Sequence, residues 1–161
     1  DGGIEKAIAK IRELKPHISV YWKSGAMQAQ LMKDQEVDMI TGWNGRFDNA
    51  KKDGAVVGYT FNQALRDYDG FGIPKGAPNK DVAMKFLGEV SKAKYQANLP
   101  FHITYGPTNK EAYEVTTASK ELLEALPSHP KNVSKMLAVD LKWYANYRAK
   151  ALEMYMELLS E

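Results

Sequence analysis

No cysteine occurs in the 161 residues, which excludes disulfides, thiolate metal sites and a cysteine nucleophile, and fits a cytoplasm or a periplasm equally. Charge of one sign is also missing. Lys and Arg number 22 against 20 Asp and Glu, a formal net charge of +2. The basic residues are scattered among acids rather than gathered on a stripe, so the phosphate footprint of a nucleic-acid partner is absent. No apolar run approaches the roughly 20 residues that cross a bilayer. The three histidines, His17, His102 and His129, stand far apart with no ligand spacing, so neither a metal nor a cofactor is expected.

Signatures of catalysis are equally scarce. Gly42-x-x-Gly45 and Gly70-x-Gly72 lack the rest of a nucleotide fingerprint, and Ser24-Gly25 lacks the flanking glycines of a nucleophile elbow. One acidic pair needs weighing. Asp67 and Asp69 are two residues apart, so an extended backbone turns both to one face. They can be solvated, bind a cation, or form an acid–base pair in a hydrolase-like enzyme. The start, Asp1-Gly2-Gly3, has neither an initiator Met nor a signal peptide. It reads as an artificial edge, a cleavage point or a truncation, and carries no information on compartment.

What is present is an ordinary globular composition, 44% hydrophobic and 26% charged, at the length of one domain. Ile4, Ala7, Ile8, Ile11 and Leu14 recur at helical spacing until Pro16. Residues 18–22 are β-branched and aromatic, a strand. Ser24-Gly25 then opens a helix carrying Met27, Leu31 and Met32, and residues 37–40 form a second strand. Strand, helix, strand is the unit of parallel sheets, which makes the class α/β. Residues 48–52 give one or two helical turns ended by Gly54, and 56–61 a further strand. Asn79 is placed as an N-cap for a helix to about Ala97. Residues 100–108 form a loop, 110–125 a helix and 126–130 a Pro-rich connection. From Asn132 a long helix, or two in sequence, carries Tyr144, Tyr147, Ala151, Met154 and Leu158 on one seam.

The most informative stretch is Asp38-Met39-Ile40-Thr41-Gly42-Trp43-Asn44-Gly45-Arg46. Asn-Gly reads as turn chemistry, since glycine accepts positive φ without a Cβ clash. A large aromatic is thereby delivered to the mouth of a strand, where α/β proteins hold ligands. Read alone, Trp43 is either a core residue beside a turn or the wall of a site.

Trp43-Asn44-Gly45, Asp69 four residues before Ile73-Pro74, Ala77-Pro78-Asn79-Lys80, Tyr105-Gly106-Pro107-Thr108-Asn109 and the late Trp143 stand in a specific order and spacing. Together they resemble the C-terminal half of the periplasmic solute-binding proteins of bacterial ABC importers, in the spermidine/putrescine-binding group. The resemblance implies a truncated lobe of the type II periplasmic-binding-protein fold, with a mixed, mostly parallel sheet flanked by helices. It assigns residues 1–69 and 117–161 to the second lobe and 70–116 to a segment crossing into the first. The crossing segment then lacks its sheet partners, which implies a missing first lobe or self-association.

By the same resemblance, Trp43 packs on the ligand, Asp69 pairs with its ammonium, Tyr105 stacks from the opposite lobe and Tyr144 stands near a polar contact. The implied partners are a small amine and a membrane permease, with no nucleic acid. Two departures matter. Asp67 replaces a second tryptophan of the polyamine binders, and Arg46 replaces a small residue. With Ser24 and Gly25 opening a helix whose amides suit an anion, they tilt the ligand toward an amine that also bears a carboxylate, such as a 4-aminobutyrate-like compound. On the bland reading, Arg46 is a surface residue.

Overall fold

The computed structural model describes residues 2–161. Helix α1 (Gly3–Leu14) forms where the isoleucine periodicity places it, and Pro16 turns its end into a short 3-10 segment, Lys15–His17. Its apolar face buries Ile4 and Ile8 against Leu158 of the terminal helix α10 (Leu141–Ser160), with Ile11, Trp143, Ala151, Met154 and Tyr155 packed around them. Asp140 starts α10 by accepting a hydrogen bond from the Trp143 amide at 2.9 Å. The expected tyrosine seam therefore divides: Ala151, Met154 and Leu158 enter the core, whereas Tyr144 and Tyr147 remain exposed. Exposed ion pairs, Arg12 with Glu161 at 2.6 Å and Lys150 with Glu5 at 2.7 Å, fasten the two ends.

A second core joins α2 (Gly25–Lys33) to α3 (Asn44–Lys52) through Met32, Phe47 and Ala50, with Ile40, Ala55, Val57 and Tyr59 against them. Here the expected Asn-Gly turn is corrected. Asn44 and Gly45 are the first residues of α3, and positive φ among the glycines occurs at Gly54 and Gly76 instead. Gly45 is spent on a close approach rather than on a turn: a Cβ there would sit 2.8 Å from the Tyr105 ring. Gly54, at φ 95°, does end the helix as expected.

The sheet is smaller than the sequence suggests. Strand β1 (Leu65–Arg66) pairs in parallel with β2 (Leu137–Ala138), Leu65 opposite Leu137 and Arg66 opposite Ala138. Residues 18–22, 37–40 and 56–61 take no strand, although their composition is right. A strand exists only where a neighbour completes its ladder at about 4.8 Å. The link between 18–22 and the segment after 37–40 is a side chain, the Trp22 indole donating to the Thr41 carbonyl at 2.9 Å. Met39 and Val56 are 90% and 92% exposed, apolar side chains with no sheet or helix against them.

Short helices fill the remainder: α4 (Lys80–Val90), α5 (Ala93–Gln96), α6 (Leu99–His102), α7 (Ala112–Val115), α8 (Lys120–Glu124) and α9 (Pro130–Val133). Asn79 precedes α4 without a side-chain cap. The single helix expected over 110–125 breaks because Thr116 is extended, its hydroxyl donating to the Ala97 carbonyl, and Ser119 then caps α8. The Asn132 carboxamide donates to the carbonyls of Glu124 and of fully buried Leu126, at 2.8 and 2.9 Å.

Candidate functional site

The leading ends of α2 and α3 converge. Trp43 is the residue before α3, in extended backbone at φ −80° and ψ 128°, and is 52% exposed with its ring edge-on to Trp22 at 5.3 Å. The core alternative for Trp43 is thereby corrected. Its polar backbone is held by Gln28 of α2, which is 0% exposed: the Trp43 amide donates to Oε1 at 3.1 Å, and Nε2 donates to the Trp43 carbonyl at 3.3 Å. Gly42 lies flat on that carboxamide, and a Cβ there would overlap it.

Gly25, the first residue of α2, faces both Arg46 and Trp43. A Cβ on Gly25 would meet Arg46 Nε at 2.6 Å and the Trp43 ring at 3.0 Å. The Arg46 guanidinium is therefore laid across a helix N-terminus, two partial or full positive charges side by side. Among the described residues the Arg46 side chain has neither an ion-pair nor a hydrogen-bond partner, and its backbone amide donates to the Trp43 carbonyl at 2.9 Å. Ser24 caps α2 in the ordinary way, its hydroxyl oxygen accepting from the Met27 amide at 3.1 Å.

Tyr105 arrives from the other side. The Asn44 side chain donates to the Thr104 carbonyl at 2.6 Å, and Asp48 accepts from the hydroxyls of Tyr59 (2.9 Å) and Thr104. Those bonds seat residues 104–105 on the first turn of α3, with the Tyr105 ring on bare Gly45. Burial, and then the Asp48 carboxylate, hold the Tyr59 phenol far above its usual range, so it remains a donor at any physiological pH.

Trp43, Arg46, Tyr105, Asp67, Asp69 and Tyr144 all line one open hollow of about 3350 Å³, and Ser24 is outside it. A closed small-molecule pocket occupies roughly 300–1,000 Å³, so this is an uncovered face rather than a finished site. Asp67 and Asp69 are exposed, and Asp67 accepts from the Tyr68 amide at 2.8 Å. Asp69 has no protein partner among the described residues. Tyr144 lies farther along α10, 48% exposed, with the Arg148 guanidinium 6.0 Å from its ring centroid. No cluster of three metal-ligating side chains occurs among the described residues.

The sequence reading missed Gln28 and Trp22. Gln28 had a signal: it shares the apolar face of α2 with Leu31 and Met32, at spacings of three and four, where a polar residue needs a reason. Trp22 was legible only as the end of a β-rich stretch.

Residues 1–140 match the family described as bacterial extracellular solute-binding protein. The Gamma-aminobutyric acid-binding protein of Pseudomonas aeruginosa is 32% identical over 145 residues, 90% of this chain and 40% of that protein. An ABC transporter substrate-binding protein from Bradyrhizobium japonicum superposes with a TM-score of 0.92 at 41% identity, over 97% of this chain and 49% of the other. The PBP MotA from A. tumefaciens B6, solved with glucopine, gives 0.88 at 45% identity over 96% and 48%. A third, the PBP AgtB from A. tumefaciens R10 with agropinic acid, gives 0.86 at 30% identity over 99% and 49%. The chain thus spans about half the length of these relatives, and its small parallel sheet and helices are part of a periplasmic-binding-protein fold. It belongs to the bacterial extracellular solute-binding proteins, a family that binds solutes without transforming them.

Proposed function

We propose that this chain is part of the solute-binding component of an ABC importer, and that its hollow holds an amine also bearing a carboxylate. The observation that carries this reading is a pair of opposite charges left unspent in one hollow. Arg46 at the α2 N-terminus has no anion among the described residues, and Asp69 has no cation. A guanidinium with helix amides suits a carboxylate, an aspartate suits an ammonium, and the Trp43 face adds about 0.5–2 kcal/mol for a cation. A pure polyamine leaves Arg46 facing a like charge. Gamma-aminobutyric acid, the solute in the name of one relative, is an amine bearing a carboxylate and supports this choice over spermidine or putrescine. Tyr105 closes the aromatic side, and Asp67, Ser24 and Tyr144 have outer roles.

On the same reading the binding protein works in the periplasm and delivers its ligand to a membrane permease. Residues 1–69 and 117–161 form the second lobe, and 70–116 cross toward the first. That threading is supported by α4, which buries no residue and leaves Val82 and Phe86 exposed, as does Phe71 before it. A first lobe, or failing that a second copy of the chain, covers this face. Sedimentation of the isolated chain as a stable monomer would speak against such a need for cover.

Calorimetric titration of the full-length protein with 4-aminobutyrate, an opine and putrescine tests the ligand class. Binding of either carboxylate-bearing amine, lowered about tenfold or more by Asp69→Asn without loss of melting temperature, is expected. Tighter binding of putrescine than of both others would overturn the choice.

A further inference from the structure

We infer that Gln28 is a positioning residue for the aromatic wall, a side chain that stands in for a missing strand and fixes Trp43 to the N-terminus of α2. This deepens the reading above and rests on it only for the consequence to binding. Three observations carry it. Gln28 is wholly buried on an otherwise apolar helix face, beside Leu31 and Met32. Its carboxamide makes both hydrogen bonds that a neighbouring strand would offer residue 43, accepting from the Trp43 amide at 3.1 Å and donating to the Trp43 carbonyl at 3.3 Å. Gly42 has no side chain where the carboxamide lies flush on the backbone, so the preceding residue is shaped to the clamp.

The chemistry of the clamp is restrictive. A primary carboxamide, or a protonated carboxylic acid of the same length, donates and accepts side by side from one planar group, whereas a neutral imidazole does so only in divergent directions. A leucine of similar volume fills the space but leaves the Trp43 amide without an acceptor, while the Trp43 carbonyl keeps only the Arg46 and Phe47 amides of α3, at 2.9 and 3.4 Å. A glutamate accepts from the Trp43 amide and, while ionised, sets a negative charge against the Trp43 carbonyl. Protonation returns the donor. Residues 37–41 reach Trp43 without a sheet ladder among the described residues, so before Trp43 the clamp takes the place of a strand, and after it the Trp43 carbonyl starts α3 by accepting from the Arg46 amide at 2.9 Å.

The test uses full-length protein carrying 5-fluorotryptophan, with the Trp43 resonance identified by Trp43→Phe and folding checked by circular dichroism. In Gln28→Leu the Trp43 fluorine resonance is expected to shift and broaden, with Trp22 following because its ring touches Trp43, while Trp143 in the α1–α10 core stays in place. Gln28→Glu is expected to show the same disturbance at neutral pH and to recover the wild-type position on acidification. Affinity for the probe 4-aminobutyrate should fall roughly tenfold in the leucine variant and return with acid in the glutamate variant. Should the leucine variant fail to fold, the glutamate variant at low pH decides alone. An undisturbed Trp43 resonance in Gln28→Leu, or a pH-independent one in Gln28→Glu, would overturn the inference. The two readings fail separately: if Trp43→Phe and Trp43→Ala leave ligand affinity unchanged while the Gln28 signature appears, the binding role of Trp43 falls and the clamp stands.

Discussion

The α1–α10 pair and the α2–α3 junction are built on different principles. The first is a hydrophobic seam: Ile4 and Ile8 against Leu158, with ion pairs only at its exposed margins. Such a contact tolerates small shifts, because burial has no direction. The second has its own apolar base in Met32, Phe47 and Ala50, yet its leading edge is fixed by directional bonds and by glycines where side chains would collide. Three glycines, Gly25, Gly42 and Gly45, admit Arg46 with Trp43, Gln28 and Tyr105 respectively. The seam thus contributes stability alone, whereas the leading edge of the junction contributes positioning, and substitutions can separate the two.

The largest effect belongs to the hydrophobic side. Leu158→Ala should cost about 2–5 kcal/mol of unfolding free energy, since Leu158 is fully buried and its removal leaves a cavity. Urea titration of the full-length protein measures that loss, and affinity at temperatures well below melting should not change. A parallel loss of affinity would break the separation. Next, Gly25→Ala should change stability little, because alanine suits a helix, the Arg46 side chain is able to swing away and the Trp43 ring edge, 3.0 Å from the new Cβ, needs to give by only a few tenths of an ångström. The same change should lower affinity for a carboxylate-bearing amine by roughly tenfold, about 1.4 kcal/mol. Equal affinity in titration calorimetry would mean that Arg46 need not lie where it does.

Two smaller tests address the seam. Asp140→Ala removes the α10 cap and should destabilise by about 1 kcal/mol, read as a lower urea midpoint with binding intact. Acidification should loosen the seam more gently. Glu5 is held below the usual carboxylate range first by its bond with Lys150, and Glu161 by its bond with Arg12. Their depressed folded-state values mean the contribution is present above the unfolded carboxylate range and lost as pH falls through the folded one. Melting temperatures followed downward through that range should decline slightly in wild type and less in Glu5→Gln. Both carboxylates are solvent-exposed, so the effect is small.

Much of this was legible in residues alone. Helix α1 follows from its isoleucine spacing and Pro16, and Gly54 ends α3 as its conformational freedom allows. Trp43, Asp69, Tyr105 and Tyr144 were named by the resemblance, and Asp67 and Arg46 as departures from it; all six line one open hollow, and their part in holding a ligand is a proposal. What eluded the sequence depends on neighbours. Residues 18–22, 37–40 and 56–61 have strand composition, yet pairing is a property of two segments, and their partners are not hydrogen-bonded to them. Gly45 looked like a turn because glycine's freedom of φ and its lack of a side chain give the same letter. Gln28 was hidden because a helix pattern records where a polar residue lies, not what it grips.

A crystal structure of the full-length protein with a bound carboxylate-bearing amine tests the central claim most directly. The account predicts the ligand's carboxylate on Arg46 beside the α2 N-terminus, its ammonium on Asp69, and the Trp43 and Tyr105 rings against its carbon chain. A ligand seated elsewhere, with Arg46 and Asp69 both facing solvent, would contradict it.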